Sequence, residues 1–182
     1  MNSTTDQYQA ARLPLARIID AIPHAAWSSP SPCEGWTALD VVGHLIETQR
    51  GLFAERGLDL GERPDVSTDP AEAWRDHAER VREVISDDSV PAIAYAGYFG
   101  STTLGATLEQ FYIWDMYVHR WDIARATGLN AELTDAELDR IDQGADRFGD
   151  ALYMEGICRP GIEVPEDASR LVRVLARLGR TG

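Results

Sequence analysis

The residues best placed to do chemistry are Asp115 and His119, in the stretch Leu104–Gly128, LGATLEQFYIWDMYVHRWDIARATG. That stretch is mostly apolar or aromatic and contains no proline, so it reads as the most buried helix of a helical bundle. The i, i+4 spacing stacks Asp115 and His119 one turn apart on one face. Leu108, Tyr112, Met116 and Ile123 fall within about 60° of His119 on an ideal 3.6-residue wheel, which surrounds a carboxylate and an imidazole with apolar groups. An unpaired carboxylate costs several kcal/mol to bury, so it must be paired or coordinate a metal. Two readings follow. In one, Asp115 bonds His119, or pairs with an arginine such as Arg120 or Arg125. In the other, the pair supplies one oxygen and one nitrogen to a divalent metal that needs one or two further ligands.

The other candidates are weaker on pattern alone. His44 lies beside the apolar arc of its helix, among Thr37, Asp40, Val41, Glu47 and Thr48, and reads as a surface histidine; its alternative is a ligand pointing into a wet cleft. His24, just past a helix end, suits the C-terminal dipole. His77 sits among Asp76, Glu79 and Arg80 and reads as solvated. Cys33 precedes a helix start, where the dipole lowers a thiol pKa, but no histidine partner is visible for it, so a structural cysteine is the simpler reading. Cys33 and Cys158 are far apart and in no C-x-x-C pattern, which fits a reducing compartment.

The positioning elements are helices. The first spans 6–21, with Pro14 as a kink or an effective start. A Pro/Ser/Gly loop, Trp27–Trp36, leads to Thr37, whose spacing to Asp40 is a capping box for a second helix running to about Arg56. Asp69-Pro70 with Glu72 opens a third helix, to about Ser86. The connection 87–103 carries Tyr95, Tyr98 and Phe99 and reads as a short extended piece or a lid. The fourth helix ends at Gly128. Thr134 and Glu137 cap a fifth, and a short helix lies in EDASRLVRVLARLG. There is no internal repeat and no linker. The expected fold is all-α: a single domain, residues 1–182, built as a four-helix bundle with the tail packed outside.

Composition narrows the function. The net charge is −13 and the pI about 4.6, which argues against a nucleic-acid surface or a polybasic membrane patch. No stretch is apolar enough to span a membrane, and the first residues lack the charged and apolar regions of a signal peptide, so the expected location is cytoplasmic.

Three stretches, in order, resemble a known family. PCEGWTALDVVGHLIETQRGLF (32–53) and DMYVHRWDIARATG (115–128) resemble the two signatures of the mycothiol-dependent maleylpyruvate isomerase N-terminal family, and DASRLVRVLARLGR (167–180) is similar to a tail of its short members. The resemblance implies a DinB-like four-helix bundle with additional C-terminal helices. It also implies a metal site at His44, Asp115 and His119, which reverses the surface reading of His44. The family usually has glutamate where this chain has Asp115. The resemblance further implies a divalent metal, zinc by preference with nickel, iron or manganese as alternatives. Its partners would be a low-molecular-weight thiol and a small electrophile, in a thiol S-transferase or isomerase reaction. Trp36, Tyr112 and the loop around Tyr95 and Phe99 would form the binding wall, and Arg120 or Arg50 would hold a carboxylate. The family's isomerase carries an additional C-terminal domain, so maleylpyruvate isomerisation itself is not implied. The alternative is a non-enzymatic metal-binding module, structural or sensing, with a protein partner and the metal closed by a fourth ligand such as Glu47. The aromatic surface would also permit a homodimer.

Overall fold

A computed structural model describes residues 2–181. Its helices are α1 (Ser3–Asp20), α2 (Ala38–Ala54), α3 (Pro70–Ile85), α4 (Leu104–Thr107), α5 (Trp114–Thr127), α6 (Asp135–Phe148) and α7 (Arg170–Arg177). The all-α expectation holds, with one addition. The 87–103 connection folds into an antiparallel hairpin of β1 (Ala94–Gly97) and β2 (Gly100–Thr103). The sequence reads as one domain without a linker; the packing divides it into two compact units, the first ending at Ala131 and the second beginning at Glu132.

In the first unit, α1 packs on α3 and α5, and α2 packs on α5 and α3. Tyr8, Leu15 and Ile19 of α1, Val42, Leu45 and Phe53 of α2, Trp74, Val81 and Ile85 of α3, and Met116 and Ile123 of α5 are buried in the core. The helix starts follow side-chain caps. Thr37 and Asp40 form the reciprocal capping box of α2, and Asp69 caps α3 ahead of Pro70. Asn2 caps α1 by accepting from the Thr5 amide at 2.9 Å, so this helix begins earlier than residue 6 and Pro14 lies inside it.

The stretch 104–127 is helical throughout but not uniformly α. Leu108–Ile113 form a π-helical turn between α4 and α5. Such turns widen the helix and shift the phase of the residues around them, often at functional sites. Leu108, Met116 and Ile123 are buried as the ideal wheel requires, while Tyr112, inside the wide turn, is only half-buried. Asp115 lies two residues beyond the last residue of the turn, Ile113.

His77 is a correction: it is buried, not solvated. Its neighbours in sequence are charged, but its neighbours along the helix face are Trp74 and Val81, and that stripe faces the core. Its Nε2 donates to Gln49 Oε1 at 3.1 Å, and Tyr8 donates to the same oxygen at 2.9 Å. Burial pushes its pKa down to about 3, with the positive charge of Arg50 adding to the shift. The unfolded chain therefore binds a proton near pH 6.5 that the folded chain refuses. This contribution is intact above about pH 6.5 and is lost as pH falls toward 3, by about 1.4 kcal/mol per pH unit. Denaturant titrations at pH 7 and pH 5 should show the stability gap between wild type and His77→Leu shifting by about 2 kcal/mol against wild type at the lower pH.

The second unit holds α6, a 3₁₀ turn (Gly149–Tyr153) and α7. Thr134 and Glu137 form the α6 capping box. Ser169 caps α7, whose Arg177 pairs with Asp142 and Asp146 of α6, each at 2.6 Å. Leu175 and Leu178 are buried, and Gly179 takes the left-handed conformation that follows a helix end. Among the described residues, no helix is long and apolar enough to cross a membrane.

Candidate metal centre

Helices α2 and α5 pack so that His44 meets the Asp115–His119 face. Asp115 lies between the imidazoles: Oδ2 is 3.2 Å from His44 Nε2 and Oδ1 is 3.2 Å from His119 Nε2. The His44 and His119 rings meet edge-on, with centroids 5.1 Å apart. Ligand atoms from the three residues lie within 4.8 Å of one another. Tetrahedral zinc with ordinary bond lengths spaces nitrogen and oxygen ligands by about 3.4 Å, so the donor types and separations fit a small divalent cation. His44 and Asp115 side chains are 27% and 23% exposed, whereas His119 is buried. The cluster thus has a buried floor and an open side. It is not enclosed in apolar groups as the wheel alone suggests.

The second nitrogen of His119 is also engaged. Its Nδ1 lies 2.9 Å from Oδ2 of Asp122, a fully buried carboxylate. A carboxylate on one ring nitrogen fixes the proton there and aims the other nitrogen's lone pair outward. Burial alone would push the His119 pKa down, but Asp115, with hydrogen bonds to Asp122 and Cys33, outweighs it and raises the imidazole well above its ordinary range. Burial likewise opposes the charge on Asp115, yet the imidazoles, His119 foremost, hold its carboxyl well below the usual range. The expected pairing of Asp115 with His119 is therefore present, and the same atoms stand at a spacing that a metal could span. Asp122 was legible as an i+3 neighbour of His119 within the second family-like stretch, 115–128, but sequence reasoning gave it no role.

A tight turn brings the loop into the site. The Trp36 amide donates to the Cys33 carbonyl at 3.1 Å, Gly35 takes φ +76°, and Ser31 and Trp36 are bonded across the turn. Trp36 is placed 4.8 Å, centroid to centroid, from His44 and 6.4 Å from His119. Cys33 Sγ lies 4.0 Å from His119 Nδ1 and 3.5 Å from Asp122 Oδ2. The cysteine without a visible histidine partner in the sequence has one in space. A Cβ at Gly35 meets no atom within 4 Å, so only backbone strain opposes it. Gly35→Ala should cost about 1–2 kcal/mol in thermal or chemical unfolding.

The other expected wall residues divide. Tyr112 is half-buried; burial raises its pKa, and it feels the charges of Glu55, Arg56 and Asp115. Tyr95 carries Arg56 over its ring at 4.0 Å, and Phe99 stacks on Phe111 with centroids 6.1 Å apart. Arg120 is fully buried, which removes it as an exposed carboxylate clamp. Arg50 donates to the Gly61 carbonyl. Glu47, the candidate closing ligand, pairs instead with Arg63 at 2.7 Å.

A four-helix bundle with a His–Asp–His cluster between two of its helices defines a class of metal-capable helical proteins. Within it, the chain belongs to the mycothiol maleylpyruvate isomerase N-terminal domain family, whose model matches residues 8–124. It is also similar to two uncharacterized proteins of Mycobacterium tuberculosis, from strain CDC 1551 / Oshkosh and strain ATCC 25618 / H37Rv. Each is 26% identical over 137 residues, covering 63% of this chain and 52% of the relative. The chain thus spans about half the length of the curated relatives it matches. No solved structure matches it.

Proposed function

We propose that this protein is a metal-dependent thiol S-transferase or thiol-dependent isomerase, with His44, Asp115 and His119 as metal ligands. The observation that carries the reading is the carboxylate of Asp115 bridging His44 Nε2 and His119 Nε2 at 3.2 Å each, on the open side of a cluster with a buried floor. A divalent metal held there, zinc by preference, supplies the Lewis acidity that makes a bound low-molecular-weight thiol a thiolate at neutral pH. Three protein ligands leave room for such a thiol, and Glu47, the candidate closing ligand, is paired with Arg63. With a metal bound, Asp122 would hold the proton on His119 Nδ1 and leave the Nε2 lone pair for the metal. Asp115 is one methylene shorter than the family's usual glutamate, yet it already stands at ligand spacing from both imidazoles. Trp36 roofs His44 and, with Tyr112, offers flat surface against which an electrophile is oriented.

The family's name points to mycothiol as the thiol. The test follows consumption of mycothiol against a panel of small electrophiles, with zinc-loaded, nickel-loaded and chelator-treated protein. The expected result is turnover that depends on added metal and is absent in His44→Ala. Turnover unaffected by chelation would contradict the reading.

A further inference from the structure

The His119 ring has a second edge, Nδ1, on which the proposed reaction places only the proton facing Asp122. Cys33 Sγ, His119 Nδ1 and Asp122 Oδ2 form a triangle with edges of 4.0, 3.5 and 2.9 Å. They are one of two groups among the described residues with ligand atoms close enough to share an ion, and the groups have His119 in common. A tetrahedral ion bound by sulfur, nitrogen and oxygen would separate those atoms by about 3.4–3.6 Å, so the triangle needs adjustments of about half an ångström. Asp122 and His119 are buried, while Cys33 is partly exposed, which gives an ion a way in.

We propose that Cys33, His119 Nδ1 and Asp122 form a second cation position, selective for thiophilic metals, that is used in alternation with the His44–Asp115–His119 position. The selectivity follows from the ligands. The first set is nitrogen and oxygen with one anionic group; in the second, the Cys33 thiol, which points at Asp122, would release its proton to solvent on binding an ion, and the resulting soft thiolate together with the carboxylate would balance a divalent charge. The alternation follows from the ring. A neutral imidazole carries one N–H and one lone pair, so an ion on Nδ1 requires the proton on Nε2, and an ion on Nε2 requires it on Nδ1. The turn Cys33–Trp36 makes the second set possible, because it brings a thiol from the loop before α2 to a helix distant in sequence. A thiophilic ion on Nδ1 would then silence the first position by taking the imidazole away from it.

The test is titration of metal-free protein with cadmium, in a Cys158→Ser background, followed by the thiolate-to-cadmium charge-transfer absorption and by total bound metal. The band is expected to saturate at about one equivalent. It should be lost in Cys33→Ser and in Cys33→Ala, and retained in His44→Ala, which damages only the first position. Zinc loaded beforehand should be released as the band grows, so that total metal stays at one equivalent. Circular dichroism of each variant shows that the fold survives. Cadmium binding with no thiolate band would overturn the second position, and zinc and cadmium held together at two equivalents would overturn the alternation. Retention of the band in His44→Ala, with no metal-dependent thiol turnover in wild type, would uphold this inference while the proposed function failed.

Discussion

Replacing His119 with alanine is expected to abolish stable metal binding and to weaken the metal-free fold. One side chain serves both ends of the site: Nε2 stands 3.2 Å from Asp115 and Nδ1 stands 2.9 Å from Asp122. Outer groups around a metal typically account for 10–100-fold in affinity, so loss of the proposed ligand should exceed that range. The structural effect has a separate origin. Asp115 would keep only His44, and the fully buried Asp122 would lose its bond to the ring. Removing one partner of a buried charged pair costs about 3–5 kcal/mol; the partial exposure of Asp115 lowers its share, and about 2–4 kcal/mol is expected. Equilibrium dialysis with zinc and chemical denaturation of the chelated protein separate the two effects. His44→Ala should lose metal equally but cost less stability, because its side chain is 27% exposed.

The second large effect is expected at Asp122, which touches no open face of the site. Asp122→Asn keeps the volume and removes the charge that holds the proton on Nδ1. An amide can turn its nitrogen toward the ring, which favours the opposite tautomer and places the proton on Nε2, where the proposed metal site requires the lone pair. Zinc affinity should fall by about 10–100-fold, with little change in the helical circular dichroism spectrum. Unchanged affinity in a competition titration would show that Asp122 does not set the tautomer. The charge of Asp122 also counts in the Cys33 set, so the same variant should weaken the cadmium band.

The elements that position the site were legible because their signals are local. The capping boxes of α2 and α6, the Asp69-Pro70 start and the Gly128 stop each depend on side chains within a few residues of the bond they make. The one-turn spacing of Asp115 and His119 was legible for the same reason. The place of His44 beside them was not, since it depends on α2 packing against α5, which helical periodicity cannot show; only the family resemblance grouped it with them. His77 was misread because its charged sequence neighbours hide the Trp74–Val81 stripe on which it lies. The π-helical turn leaves no mark in the hydrophobic pattern, so the ideal wheel overstated the burial of Tyr112. Cys33 needed the turn at Gly35, whose direction becomes meaningful only once α5 stands beside it.

The most direct measurement is the metal content of protein purified without an affinity tag, by elemental mass spectrometry, together with His44→Ala and His119→Ala. About one equivalent of a divalent metal in wild type, absent from both variants while their helical content persists, is the result predicted here. Wild-type protein that holds no metal even after incubation with zinc and with nickel would contradict the account. Asp115 would then be the structural partner of two histidines.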